Sequence, residues 1–217
     1  MKDIRLIIFD FDGTLGDTRQ VIVTTMRQTM QELHYAVASE AACATTIGLP
    51  LKECFRRLLP DIDETAVGVC ADTYRRFFDI NKTRVKPVLF AHVAETVERL
   101  AQSGMAMTVA SSRSTTSLHE LLQVLGIAHC FSYVLGADEV VHAKPDPEPV
   151  LKTLMATGFD ASQTLVVGDM PVDILMGRGA GCRTCGVTYG NGTREELLAA
   201  GADFVIDGMH ELLHIFG

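Results

Sequence analysis

The sequence predicts an α/β protein in which a doubly wound, mostly parallel sheet carries an inserted all-α cap subdomain. Three observations predict this fold class. Short apolar runs alternate with helical patterns along most of the chain, a glycine follows several of the predicted helices, and one long stretch contains helical patterns only. The 217 residues suffice for one substantial domain with a small insert.

The predicted strands are short runs rich in Val, Ile and Leu, the composition of strands that are buried on both faces of a parallel sheet. Their alternation with helices predicts parallel strands with helices packed on both faces of the sheet. In chain order they are Leu6–Phe9, Met107–Ala110, Tyr133–Leu135, Leu165–Val167, Thr184–Val187 and an edge strand at Phe204–Ile206.

Core helices are predicted at His92–Gln102, Ser117–Leu125 and Glu148–Thr157, where apolar residues recur every three or four positions. A glycine follows each of the three, as is common at helix C-termini. These apolar residues are expected to face the sheet: Val93, Val97 and Leu100; Leu118, Leu121, Leu122 and Leu125; Leu151, Leu154 and Met155.

The cap subdomain is predicted at residues 17–85, and the α/β core at residues 1–16 and 86–217. No strand pattern occurs in the insert, so it is most simply a separate all-α unit that leaves the core at Gly16 and returns at Lys86. Three apolar stripes predict its helices: Ile22, Met26, Met30 and Leu33; Leu51, Phe55, Leu58 and Leu59; Val67, Cys70, Tyr74, Phe77 and Phe78.

The formal net charge of −8 and the pI near 5.3 argue against a nucleic-acid or anionic-membrane partner, which would require a basic face. No signal peptide or apolar stretch of membrane-spanning length is visible, so a cytoplasmic protein with reduced cysteines is expected. The Cys182-x-x-Cys185 pair is interpreted as structural. The sequons at Asn81 and Asn191 predict no function in such a protein.

The first predicted strand ends in Asp10-Phe-Asp12-Gly13-Thr14-Leu15. Ligands bind at the carboxyl ends of strands in open α/β sheets. Two acids two residues apart on an extended segment lie on one face, so Asp10 and Asp12 are expected to converge around a cation. Gly13 permits a sharp turn that would leave N–H groups free to hold a phosphate. A plain acidic turn is the alternative, whereas an EF-hand loop would need a further acid and a distal Glu.

Three further strand ends carry polar side chains: Ser111-Ser112-Arg113, Lys144-Pro145 and Gly168-Asp169-Met-Pro-Val-Asp173. Each is weak alone, because a Ser after a strand is commonly a helix cap and a single Lys is commonly a solvated charge. Together, four strand ends that carry acid, hydroxyl, cation and acid in turn predict one shared polar site.

These four motifs, in this order across nearly the whole chain, resemble those of the haloacid dehalogenase superfamily of phosphatases. The insert resembles the helical cap of the phosphoglycolate phosphatase-like branch. The segments His142-Ala-Lys-Pro-Asp-Pro-Glu-Pro and Ile47-Gly-Leu-Pro-Leu also resemble a bacterial pyrophosphatase of that branch.

The resemblance implies that Asp10 is the nucleophile that forms an aspartyl-phosphate. It implies that Asp12 protonates the leaving oxygen and then deprotonates the attacking water. A magnesium ion would be held by Asp10, the Asp12 carbonyl and Asp169. Asp173 is expected to orient Lys144 or a metal-bound water, and Lys144 to balance the carboxylates.

Substrate binding is assigned to further groups. Ser111 and the N–H groups near Gly13 are expected to hold the transferring oxygens, and the hydroxyl and cation that follow Ser111 to assist. In the insert, Lys52 and Arg56 carry like charge one helical turn apart and therefore repel each other. An anionic substrate tail would relieve this repulsion. The alternative is that both side chains are simply solvated. The predicted substrate-binding residues are Gly13, Thr14, Ser112, Arg113, Lys52 and Arg56.

A small phosphorylated metabolite is therefore the expected partner, and the chain is expected to be a monomer or a weak homodimer. Phosphoglycolate is the first choice of substrate and inorganic pyrophosphate the second, with a β-phosphoglucomutase as the chemical rival. A phospho-acceptor signalling domain is the alternative class, since it also gathers acids, a hydroxyl and a lysine around magnesium. The lifetime of the phosphoenzyme distinguishes these two classes.

Overall fold

The computed structural model describes residues 3–216. Its central element is a six-stranded sheet in which every strand pairs in parallel, in the order β5-β4-β1-β6-β7-β8, and it confirms the predicted fold class. The strands are β1 (Leu6–Phe9), β2 (Gly16–Asp17), β3 (Val88–Leu89), β4 (Ala106–Ala110), β5 (Tyr133–Leu135), β6 (Thr164–Gly168), β7 (Arg183–Val187) and β8 (Phe204–Ile206).

Helices cover both faces of this sheet. Along β1, Ile7 and Phe9 join the core beneath α5 and α6, whereas Leu6 and Ile8 face α7 and α8, so alternate residues serve opposite faces. The described helices are α1 (Arg19–Glu32), α2 (Glu40–Ala44), α3 (Leu51–Leu58), α4 (Glu64–Arg84), α5 (Val93–Gln102), α6 (Thr115–Val124), α7 (Glu148–Thr157), α8 (Pro171–Gly179), α9 (Arg194–Ala199) and α10 (Leu212–Phe216).

Strand β1 lies at the centre of the sheet, between β4 and β6. Its last residue, Phe9, is level with Val109 of β4 and Val167 of β6. Because all three strands run in the same direction, the residues that follow them emerge side by side at one edge. This register brings the polar strand ends together.

The insert between β1 and α5 is built from α1 to α4 around its own apolar core, which includes Met26, Phe55 and Tyr74. At its base, β2 and β3 form a short antiparallel ribbon in which Gly16 pairs with Leu89. Sequence patterns predicted no strand here, because two residues are too few to show a period. The division into core and cap subdomains stays a prediction.

The predicted inward face of α7 is wrong for two of its three residues, Leu151 and Met155, and is confirmed for Leu154. Leu151 and Met155 are exposed at 47% and 84%, whereas Val150 and Thr153 are buried against the sheet and Leu154 is partly buried. Apolar residues at 150 and 154 and at 151 and 155 both satisfy the helical repeat, so the period alone could not select the face. Contacts of α7 with β4 and β5 select it.

The six cysteines are buried and unpaired, including Cys182 and Cys185. Among the described residues, no helix is both long and apolar enough to cross a membrane. The location of the protein stays a prediction.

Candidate active site

Three buried carboxylates from two strand ends and a helix meet at the carboxyl edge of the sheet. Asp10 follows β1, Asp169 follows β6, and Asp173 lies in the first turn of α8. Each offers an oxygen within 4.8 Å of the others. Lys144 is also buried, and its Nζ donates to Asp10 Oδ1 at 2.5 Å and to Asp173 Oδ1 at 2.7 Å. The cluster therefore holds three acids and one ammonium.

This imbalance of charge changes the acidity of the cluster. Burial raises the pKa of Asp10 to about 7, with Asp173 and Asp12 adding to the rise and Lys144 opposing it. Burial and the neighbouring acids also raise the pKa of Asp169 well above its usual value. Burial alone would lower the pKa of Lys144, but the carboxylates of Asp10 and Asp173 raise it.

One oxygen of the cluster lacks a partner. Within the described part of the chain, Oδ2 of Asp10 is buried and receives no hydrogen bond. Such an atom is costly unless a further donor or a cation satisfies it. Because the surrounding ligands are carboxylate oxygens, the cluster fits a hard divalent cation such as Mg²⁺, with Asp10 and Asp169 as ligands.

The turn after Asp10 packs tightly against Asp169. Gly13 has a φ of +93°, and a Cβ at this position would overlap the Asp169 carboxylate. The hydroxyl of Thr14 donates to Asp169 Oδ1 at 3.3 Å. Thr14 is fully buried and thus supports an acid of the cluster, not the substrate contact that was predicted for it.

The predicted phosphate-holding N–H groups are partly misassigned. The N–H groups of residues 13 to 16 donate to the carbonyls of Phe11 and Gly16, because the turn closes on itself. By contrast, the N–H groups of Phe11 and Asp12 donate to no acceptor in residues 3–216. The free donors therefore lie before Gly13 and not after it.

Asp12 belongs to a second charged pair. Arg113 donates through Nε to Asp12 Oδ2 at 2.7 Å and through Nη2 to Oδ1 at 2.7 Å, and Thr18 donates to Oδ1 at 2.5 Å. The Asp12 carboxylate is thus not part of the acidic cluster, and Arg113 contacts an acid directly. The expectation that the Asp12 carbonyl binds the metal stays a prediction.

The two serines after β4 lie in different surroundings. Ser111 is buried at the strand end, and its Oγ accepts a long bond of 3.4 Å from the Arg113 N–H. Ser112 donates to the carbonyl of Gly48 in the insert at 2.7 Å. Ser112 therefore joins core and insert in this structure.

Sequence reasoning missed the loop after β7. Asn191 donates to Asp169 Oδ2 through its N–H at 2.7 Å and through Nδ2 at 3.0 Å. Tyr189 donates to the Thr14 carbonyl at 2.9 Å, and a Cβ at Gly190 would overlap Asp169. A Gly-Asn-Gly sequence after a predicted strand was the available signal, yet Asn191 was read only as part of a sequon.

A cavity of about 530 Å³ lies between insert and core. Asp12, Arg113 and Ser112 line it from the core, and Lys52 lines it from the insert. Arg56 is not among its lining residues, because its guanidinium is held by Glu53 at 3.2 Å and Glu64 at 2.8 Å. The expectation that Arg56 faces the substrate is therefore not supported.

The parallel sheet and the buried cluster of Asp10, Lys144, Asp169 and Asp173 agree with the architecture that the sequence motifs indicated. The sequence profile of the haloacid dehalogenase-like hydrolases matches residues 7–187. The chain belongs to this family.

Curated relatives align over almost their whole length. The probable phosphatase IndB of Dickeya dadantii is 35% identical, with 96% of this chain and 91% of the relative covered. A phosphoglycolate phosphatase of Pectobacterium atrosepticum is 34% identical, with 99% and 93% covered. The pyrophosphatase PpaX of Oceanobacillus iheyensis is 31% identical, with 99% and 97% covered.

A similar architecture is found among solved structures. The crystal structure of a predicted phosphoglycolate phosphatase from Haemophilus somnus superposes with a TM-score of 0.88 at 26% identity, and all of both chains is covered. The similarity thus includes the helical insert as well as the sheet.

Proposed function

We propose that this protein is a Mg²⁺-dependent phosphatase that hydrolyses a small phosphate monoester through an aspartyl-phosphate on Asp10. The observation that carries the proposal is the buried cluster in which Lys144 holds one oxygen of Asp10 while the other oxygen has no hydrogen-bond partner in residues 3–216. A carboxylate that is held through one oxygen and whose other oxygen makes no hydrogen bond is suited to attack an electrophile.

Asp10 and Asp12 carry out the two steps of the reaction, formation and hydrolysis of the aspartyl-phosphate. In the first, an Asp10 oxygen bonds to phosphorus, the bond to the leaving oxygen breaks, and Asp12 gives that oxygen a proton. In the second, Asp12 takes a proton from water, the water oxygen bonds to phosphorus, and Asp10 is released as a carboxylate. When bound, Mg²⁺ offsets negative charge on the phosphoryl oxygens.

Other residues position these groups. Lys144 restrains Asp10 and is itself restrained by Asp173, so the nucleophile is held in one orientation. Asn191 and Thr14 orient Asp169. Ser111 and the free N–H groups of the Asp10 turn are the candidate donors to the transferring oxygens.

Phosphoglycolate is the proposed substrate, supported by the relatives of that name and by the presence of Lys52 in the cavity. Inorganic pyrophosphate is the second candidate, supported by the relative named pyrophosphatase. Both are small phosphorylated metabolites with a second negative charge. The cytoplasm as location and a monomer or weak homodimer remain part of the proposal.

A panel of small phosphates tests the proposed function. We expect turnover of phosphoglycolate or pyrophosphate that EDTA abolishes and that added Mg²⁺ restores. Substrate consumption that is unchanged in EDTA would contradict the proposed metal. A phosphoenzyme that persists for minutes with no turnover would instead favour a phospho-acceptor domain.

A further inference from the structure

Arg113 is placed to contact both an acid of the core and a ligand in the cavity. It follows β4, its side chain is only 11% exposed, and it lines the cavity between core and insert. Its guanidinium lies 4.6 Å from the ring centre of Phe78 of the insert and 5.9 Å from that of Phe11 of the core. These two rings restrict where the guanidinium can lie.

Only part of this guanidinium is used by the core. Nε and Nη2 hold the Asp12 carboxylate, a geometry that suits a planar fork. Among the described residues, Nη1 has one partner, the hydroxyl of Ser117 at a long 3.4 Å. Since guanidinium carries five N–H donors, Arg113 keeps capacity for a second anion.

Two other cations that line the cavity are already paired with acids. Lys82 is paired with Asp79 at 2.8 Å and with Glu120 at 2.7 Å. Arg75 is paired with Asp72 at 2.6 Å. Lys52 has no ion pair within residues 3–216, so it and Arg113 are the cavity cations with capacity for an anion.

We infer that Arg113 determines substrate specificity by holding Asp12 with one part of its guanidinium while it receives a second anionic group of the substrate at Nη1. The inference rests on the proposed phosphatase function. It names the substrate class as phosphate esters or anhydrides whose leaving group carries a negative charge a few atoms from the scissile oxygen. Because one rigid group contacts both partners, binding of that charge places the leaving oxygen next to Asp12.

A matched pair of substrates tests this role. Phosphoglycolate and ethyl phosphate share a two-carbon leaving group and differ in the carboxylate. For the wild-type protein we expect kcat/KM to be about 10- to 100-fold higher for phosphoglycolate, the range of a charge-assisted hydrogen bond. A ratio near one would overturn the inference.

Variants then assign the preference to Arg113. Arg113→Lys keeps the charge but cannot hold two anions in a fork, so the ratio should fall to within about threefold of one. Arg75→Lys makes the same chemical change in the same cavity at an arginine that is already paired, and it should leave the ratio unchanged. An equal loss on both substrates in Arg113→Lys would show that Arg113 only positions Asp12, and it would overturn the inference.

Binding provides a readout that is independent of turnover. Calorimetry on Asp10→Asn should show tighter binding of phosphoglycolate than of ethyl phosphate, and the double variant Asp10→Asn with Arg113→Lys should lose that difference. If the difference survives, the inference is wrong. Should Arg113→Lys fail to fold, Arg113→Gln, which keeps planar N–H donors but loses the charge, takes its place in both measurements, and a preference for phosphoglycolate that survives in it would overturn the inference. A protein that turns over neither substrate nor an aryl phosphate in Mg²⁺ would instead contradict the proposed function itself.

Discussion

In the core, three buried carboxylates share one ammonium, whereas four cations of the insert, Arg27, Arg56, Arg75 and Lys82, each have an acid of their own. Arg56 shows the insert pattern, since two glutamates hold it near the surface. Asp10 shows the core pattern, since one of its oxygens has no hydrogen-bond partner among the described residues. Exposed ion pairs such as those of Arg56 contribute little to stability, whereas an unbalanced buried charge is costly without a ligand.

This contrast between core and insert indicates which charged residues bind ligands. Charges that satisfy one another support the structure, and charges left unsatisfied indicate a ligand. The core should therefore respond strongly to substitution. On the insert, Lys52, which lines the cavity and has no ion pair within residues 3–216, should respond, whereas the paired Arg56 should not.

The largest expected effect is at the nucleophile. Asp10→Asn should fold and still bind substrate, but it should lose turnover by at least about 10⁴-fold, because an amide does not attack phosphorus; that factor corresponds to about 5.5 kcal/mol in the barrier. Steady-state rates with phosphoglycolate and an aryl phosphate provide the measurement, and a thermal melt is the control for folding. Activity within about tenfold of the wild type would refute the assignment.

The second-largest effect is expected at the metal site. Asp169→Ala should raise the Mg²⁺ concentration needed for half-maximal rate and lower the maximal rate, because a buried oxygen ligand is removed. Asp72→Ala, which removes an exposed acid of the insert, is the matched control and should change neither quantity. An unchanged Mg²⁺ requirement in Asp169→Ala would exclude this acid as a ligand.

The unbalanced core also predicts a pH dependence of stability in EDTA. The pKa of Asp10 is raised to about 7 in the folded state, so between about pH 4 and pH 7 the folded protein binds a proton that the unfolded chain has released. The free energy of unfolding should therefore fall as the pH rises through this window, and Mg²⁺ should raise the melting temperature more at about pH 7.5 than at about pH 5.5. Asp10→Asn should weaken both trends, whereas equal Mg²⁺ effects at the two pH values would contradict the account.

The smallest expected effect is on the insert, where two cations one helical turn apart differ in their partners. Lys52→Ala should raise KM for phosphoglycolate about threefold and leave an aryl phosphate unaffected, because Lys52 lines the cavity. Arg56→Ala should leave KM for both unchanged, because Arg56 is held by Glu53 and Glu64. Equal KM values for wild type and Lys52→Ala would show that Lys52 is solvated and does not contact the substrate.

Sequence patterns predicted the sheet well because buried parallel strands leave a strong local signal. Three strands, Leu6–Phe9, Tyr133–Leu135 and Phe204–Ile206, were predicted with the observed bounds, and the other three predicted strands of the sheet within one residue at each end. The acids at strand ends could be predicted for the same reason, since a strand end fixes where the next side chain emerges. The roles of the site residues stay predictions.

What the sequence did not predict depends on contacts between distant segments. Asn191 contacts Asp169 across 22 positions, and Arg113 contacts Asp12 across 101 positions. No local spacing encodes such pairs. Arg56 was misassigned because one of its two acids, Glu64, lies in the next helix, where the spacing of charges within α3 cannot reveal it.

The central claim, an aspartyl-phosphate on Asp10, is tested most directly by intact-mass spectrometry of Asp12→Asn. This variant keeps the nucleophile but lacks the acid that activates water, so a nitrophenyl phosphate, whose leaving group needs no proton, should load the enzyme faster than water clears it. We predict one added phosphoryl group, which peptide mapping places on Asp10 and which Asp10→Asn abolishes. Full turnover by Asp12→Asn without any adduct, or an adduct on a residue other than Asp10, would contradict the account.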